Sequence, residues 1–212
     1  MPIPEDIYSE NITTLGELLQ ARTNLINEIK EGVEFWESHM DDVANIAKSI
    51  AEALKLPPPL VDRIYKGGLL HDMGKSMFEM QSALMHPGKL VGPQLELVRQ
   101  HTVYGVQVVE FAFGITDPIV LAIVKSHHEK LNGNGYPEGL RGHQISQPVR
   151  ITTVADICCA ITRDRPTAPA RSREFAVSVL REEADAGELD FYLVETLAVD
   201  VFGFPARPPK PT

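Results

Sequence analysis

Apolar positions along this chain recur at intervals of three and four residues, and no convincing stretch alternates with period two, so the pattern predicts helices almost throughout. A first helix is expected over residues 14–31, with Leu15, Leu18, Leu19, Leu25, Ile26 and Ile29 on one side and Thr13 or Thr14 as cap. Gly32 breaks or bends it. The next helix, 33–56, would bury Val43, Ile46, Ala47, Ile50 and Leu54 and is stopped by Pro57-Pro58-Pro59. A third, 60–70, leads straight into His71-Asp72. Residues 77–92 read as irregular, with a turn at Pro87-Gly88. Helical patterning resumes over 93–113 and 117–128, then over 148–162, 172–186 and 189–201, with a turn at 166–169. Between them, residues 131–147 carry Gly133, Gly135, Gly139, Gly142 and Pro137, the composition of a long loop, and long loops in compact domains are often functional. The expected fold is therefore all-α: a multi-helix bundle with one glycine-rich active-site loop. Residues 1–33 form a helical extension, 34–203 the main domain, and 204–212, with four prolines, a disordered tail.

Composition narrows the function classes. With 212 residues, 43% hydrophobic and 23% charged, the chain suits one sizeable soluble domain. A formal net charge of -9 opposes non-specific binding to duplex nucleic acid, which draws on many cationic contacts to phosphates. A small anionic substrate remains compatible if metals make a cleft locally positive. The two cysteines, Cys158 and Cys159, are adjacent, which rarely suits a disulfide and points to reduced thiols in the cytoplasm. The start of the chain lacks a secretory signal, and no apolar run reaches the roughly 18 residues that a membrane helix needs.

The chemistry lies in the histidines. His71 sits in His71-Asp72-Met73-Gly74-Lys75, and His127-His128-Glu129 precedes Gly133-Asn134-Gly135-Tyr136-Pro137. Imidazoles and carboxylates are the ordinary ligands of divalent transition metals. Asp72 has two oxygens with which to bridge a pair of ions. His101 falls at a helix start, Asp156 inside a helix, and His39 on the second helix is a further candidate. They come from separate elements, so only the folded bundle can unite them.

These motifs, in this order, resemble the HD-GYP branch of the HD-domain phosphohydrolases. The resemblance spans residues 39–202 and rests on Leu69-Leu70-His71-Asp72-Met73-Gly74-Lys75, Pro87-Gly88-Lys89-Leu90, His101-Thr102-Val103-Tyr104-Gly105, His127-His128-Glu129, the string from Gly133 to Leu140, Arg150-Ile151 and Ala155-Asp156. It implies hydrolysis of cyclic di-GMP to pGpG or GMP by a hydroxide bridging two divalent metals, iron or manganese. One metal would be held by His39, His71, Asp72 and Asp156, the other by Asp72, His101, His127 and His128. Asp72 and Lys75 would be the catalytic pair, and Lys75, Arg165 and Tyr136 the substrate contacts. The glycine-rich loop would be an exposed docking surface for a diguanylate cyclase of the GGDEF type, and the N-terminal helix would either pack on the core or form a homodimer.

The sequence departs from that branch in places. Phe35 stands where some members carry a third-metal glutamate, so two metals are expected. Asp164-Arg165-Pro166-Thr167-Ala168 replaces the usual Asp-Arg-Pro-Tyr-Lys, which opens two other readings: a phosphohydrolase for another nucleotide, or a signalling module. Cys159 replaces a frequent aspartate. His86 and His143 are expected at the surface, and Met73 as core filling. Lys75 has the alternative of a helix cap, and Glu129 either orients a histidine or is solvated.

Overall fold

The periodic segments fold into helices from end to end, with no strand among the described residues, which in the computed structural model are 14–28, 33–76, 91–164 and 169–207. In chain order these are α1 (Leu15–Glu28), α2 (Val33–Ala53), α3 (Pro58–Leu70), a 3-10 turn at Met73–Ser76, α4 (Pro93–Arg99), α5 (His101–Phe113), α6 (Pro118–Ser126), α7 (Gln147–Thr162), α8 (Arg173–Asp185) and α9 (Phe191–Glu195), which widens into a π-helical turn over Thr196–Val201. The all-α expectation holds.

Local signals set the ends. Thr14 caps α1 reciprocally with Glu17: the Thr14 hydroxyl accepts from the Glu17 N–H, and the Glu17 carboxylate accepts from the Thr14 N–H. Asp117 caps α6 by accepting from the N–H groups of Ile119 and Val120, and Arg63 of α3 donates to the same carboxylate at 2.7 Å. Ser172 caps α8, as its position before the apolar run implies.

Two points differ from the periodicity reading. The span 93–113 is two helices, because the chain turns at Gln100, whose N–H bonds back to Leu97. The tail is held as far as Arg207, so the disordered stretch expected from Phe204 onward is corrected there. The Arg207 guanidinium donates to both oxygens of Asp185 and to the Arg181 carbonyl, and its N–H donates to Glu195. Residues 208–212 lie outside the described part of the structure, as do 77–90 with the Pro87-Gly88 turn.

Two apolar clusters hold the bundle. The larger joins α2, α3, α6, α7, α8 and the π-helical turn after α9 through Ile50, Ile64, Ile123, Ile151, Leu180 and Leu197, all fully buried; each such side chain contributes about 1.5–3 kcal/mol on burial. The smaller, around Met40, Leu69, Leu70, Val109 and Phe113, joins α2, α3, α5 and α6, and Leu19 and Ala21 bring α1 onto it. α1 thus packs on the core through these two residues. Polar groups buried between these clusters are where the fold puts its chemistry. Among the described residues, no helix is long and apolar enough to cross a membrane.

Candidate metal centre

Five histidines and two aspartates converge where α2, α3, α5, α6 and α7 meet. α2 delivers His39, the end of α3 delivers His71 and Asp72, α5 begins at His101, α6 ends into His127 and His128, and α7 carries Asp156. Three of the rings are locked by the turn that precedes them. His71 Nδ1 donates to the Gly68 carbonyl at 2.8 Å, His101 Nδ1 to Val98 at 2.6 Å, and His127 Nδ1 to Val124 at 3.0 Å. A ring that donates from Nδ1 presents a lone pair at Nε2.

Those lone pairs face other acceptors. His101 Nε2 and His127 Nε2 lie 3.3 Å apart, and both confront Asp72 Oδ1, at 3.3 and 3.7 Å. On the other side Asp72 Oδ2 is 3.4 Å from His71 Nε2 and 3.8 Å from His39 Nε2. Asp156 Oδ1 completes this second group, 3.1 Å from His39 and 3.8 Å from His71. Acceptors pointed at one another in a dry interior repel, and a proton or a cation between them removes the repulsion. His71 Nε2 and Asp72 Oδ1 are buried without any hydrogen bond of acceptable geometry. The potential ligand atoms of Asp72, His101, His127 and His128 lie within 4.8 Å of one another, as do those of His39, His71 and Asp156. Nitrogen and oxygen donors in this mixture suit manganese, iron or zinc rather than calcium or magnesium. The residues therefore fit a metal centre, with Asp72 offering one oxygen to each group.

The electrostatics agree. Burial alone would raise the pKa of Asp72, but Lys75 and His71 outweigh it and hold the carboxyl well below the usual range. Asp156 is likewise held low against burial, chiefly by its hydrogen bond from His39 and the charge of His71. Burial brings His127 down to about 4 and His128 also well down, so both rings are neutral near pH 7. His71 is different: burial opposes its charge, yet Asp72 and then Asp156 raise its pKa. The two carboxylates that draw a proton to His71 would draw a cation equally.

Around the histidines the chain comes unusually close to itself. A Cβ on Gly74 would lie 1.9 Å from the His101 carbonyl oxygen, and one on Gly135 would lie 2.4 Å from the backbone of Glu129 and Lys130. Only glycine lets the 3-10 turn after Asp72 touch α5, and only glycine lets the long loop fold back on the His128-Glu129 strand of chain. That loop is not the exposed surface expected from sequence. Glu129 is buried and accepts from three of its N–H groups, those of Glu138, Gly139 and Leu140, at 2.7, 3.1 and 2.9 Å. Neither reading open for Glu129, histidine partner or solvated group, describes this anchor role. The anchored loop turns Tyr136 inward, half-buried and stacked on His128 with ring centroids 4.7 Å apart. The Arg99 guanidinium lies over the same ring, 5.2 Å from its centroid.

Lys75 reaches Asp72 Oδ2 at 2.5 Å, so its ammonium is engaged by a carboxylate in this state rather than by a helix end. His143 is exposed and Met73 is buried in the core. Cys158 and Cys159 are buried thiols, and burial pushes Cys158 up to about 11, an inert packing group. Arg165, Thr167, Ala168 and His86 lie outside the described residues. Sequence reasoning missed Arg99, which had only its place two residues before His101 to signal it.

The sequence model of the family described as "HD domain" matches residues 13–193. Among curated proteins, the chain is 28% identical over 195 residues to the "3'3'-cGAMP-specific phosphodiesterase 1" of Vibrio cholerae serotype O1, covering 92% of this chain and 44% of that protein. It is 38% identical over 138 residues to a cyclic di-GMP phosphodiesterase of Pseudomonas aeruginosa, covering 65% of this chain and 33% of that protein. The chain thus spans less than half the length of these relatives. Among solved structures, an HD-GYP-type protein of Bdellovibrio bacteriovorus superposes with a TM-score of 0.64 at 21% identity, covering 88% of this chain and 60% of that one, a likeness of fold.

Proposed function

Because the chain belongs to the HD domain family, we propose that it is a metal-dependent phosphodiesterase that cuts a cyclic dinucleotide, with cyclic di-GMP the leading substrate and pGpG or GMP the product. The observation that carries this reading is Asp72, whose two oxygens face two separate groups of ligand atoms. In this reading His39, His71, Asp72 and Asp156 hold one ion, and Asp72, His101, His127 and His128 the other, iron or manganese in each case. Paired divalent ions supply a nucleophile at neutral pH and neutralise charge that develops on a scissile phosphodiester.

The chain's own residues do the rest. The carbonyls of Gly68, Val98 and Val124 fix three imidazoles in the ligating tautomer before any ion arrives. Lys75, 2.5 Å from Asp72 at the edge of the centre, would serve as a point charge for a phosphate oxygen. Tyr136, held by the loop that Glu129 anchors, closes the His128 side and excludes water there. Arg165 is proposed as a second phosphate contact.

A second reading keeps the chemistry and changes the nucleotide. It is favoured by the relative from Vibrio cholerae, specific for 3'3'-cGAMP, whose match covers 92% of this chain. Both readings are tested by loading the protein without oxygen with Fe(II) or Mn(II), adding cyclic di-GMP, 3'3'-cGAMP or cyclic di-AMP, and separating products by chromatography. Linear dinucleotide from at least one of the three is the expected result, and the substrate cut fastest decides between the readings. Three intact substrates after hours with metal-loaded protein would refute both.

A further inference from the structure

We propose that Arg99 binds the second, uncut phosphate of the cyclic dinucleotide. The inference rests on the functional reading above and extends it to a residue that this reading does not use. A cyclic dinucleotide carries two phosphodiesters, each with one negative charge. The metal centre takes one of them, and the other needs a cation close by or loses hydration without compensation.

Few cations near the centre are available for it. Lys75, beside Asp72, serves the phosphate at the metal centre, and Arg163 is engaged by Asp42 and Ser38 of α2. Arg99 is differently placed. It ends α4, two residues before His101, and its guanidinium lies over the Tyr136 ring, which in turn stacks on His128. This chain of contacts sets Arg99 at the lip of the group formed by Asp72, His101, His127 and His128, one aromatic ring away from the ligands.

Its bonding is incomplete. Arg99 Nε is occluded by the fold yet has no hydrogen-bond partner among the described residues. Among the described residues the carboxylate paired with it is Glu96, at 2.9 Å, and that side chain is 64% exposed. Exposed pairs of this kind hold weakly and exchange readily for a better partner. A guanidinium resting on an aromatic face keeps its fork in one plane, which suits two oxygens of one phosphate. The stack on Tyr136 fixes that plane relative to the metal ligands, so Arg99 also sets how far the second phosphate lies from the first.

The test compares substrates with two phosphates and with one. Metal-loaded wild-type protein, Arg99→Ala and Arg99→Lys are assayed on cyclic di-GMP and 3'3'-cGAMP, and on bis(p-nitrophenyl) phosphate, which has a single phosphodiester. For Arg99→Ala the expected result on the better cyclic dinucleotide is a KM raised roughly tenfold to a hundredfold with a much smaller change in kcat, the scale of one lost charged contact. The loss of kcat/KM on the one-phosphate ester should be at least about tenfold smaller than on the dinucleotide. Arg99→Lys should recover only part of the KM, because an ammonium cannot fork. Equal losses on both kinds of substrate, or an unchanged KM on a dinucleotide that the wild type cleaves, would overturn the role of Arg99 alone. A wild type that cleaves the one-phosphate ester but no cyclic dinucleotide would overturn the functional reading, and this inference with it.

Discussion

Asp72→Asn is expected to abolish phosphodiesterase activity, by on the order of 10³-fold or more, while leaving the fold intact. The reasoning is local. Asp72 faces both groups of ligand atoms most closely, with Oδ1 toward His101 and His127 and Oδ2 toward His71 and His39. Asparagine has the same shape but no negative charge, and its amide nitrogen cannot ligate. One substitution therefore weakens both ion sites at once, whereas His39→Ala or His128→Ala should weaken one. The fold should survive, because the amide keeps the size and shape of the carboxylate and its oxygen can still accept from Lys75. Circular dichroism and a steady-state assay after metal loading check both halves. An Asp72→Asn protein that folds and keeps more than about a tenth of wild-type activity would contradict the assignment.

Glu129→Ala is expected to be the most destabilising single truncation outside the apolar core. The side chain is buried and accepts from three consecutive N–H groups of the long loop. Its removal leaves three backbone donors without a partner, a cost of about 3 kcal/mol or more, although water reaches part of the loop. In a domain of this size that lowers Tm by roughly 6–12 °C. Activity should fall as well, because the same loop presents Tyr136 to His128. Glu129→Gln keeps one carbonyl oxygen and should recover part of the loss. A thermal melt within about a degree of wild type for Glu129→Ala would show that the loop is held by other contacts.

The two residues differ in how legible they were. Asp72 stood out in the sequence because a metal ligand must be of a certain type, and the ordered series from His39 to Asp156 limited which folds could use it. Glu129 sat beside two histidines, and its neighbours in sequence suggested roles toward them. Its partners lie nine to eleven residues downstream, and nothing in spacing or composition reveals a carboxylate that accepts from a loop folded over it. The same holds for Arg207, whose bonds to Asp185 and Glu195 fix a stretch that proline content marked as disordered. Helix existence followed from periodicity because apolar faces must be buried. The break at Gln100 did not, because Leu97, Tyr104 and Val108 keep helical spacing across it; the turn serves to aim His101 inward, where its Nδ1 meets the Val98 carbonyl. The loop that carries Tyr136 reads as an exposed docking element, since glycine-rich loops run over surfaces, although Tyr136 itself is expected as a substrate contact. The close approach at Gly135 instead folds it onto the histidines.

The central claim is that paired acceptor groups around Asp72 exist to hold two cations. Elemental analysis of the protein purified without chelators and loaded without oxygen tests it most directly, read as ions per chain beside the Asp72→Asn variant. The account predicts about two transition-metal ions per wild-type chain, as two ligand groups sharing one carboxylate require, and fewer than one in the variant. A wild-type chain that takes up no transition metal, or a variant that holds as much as the wild type, would contradict it.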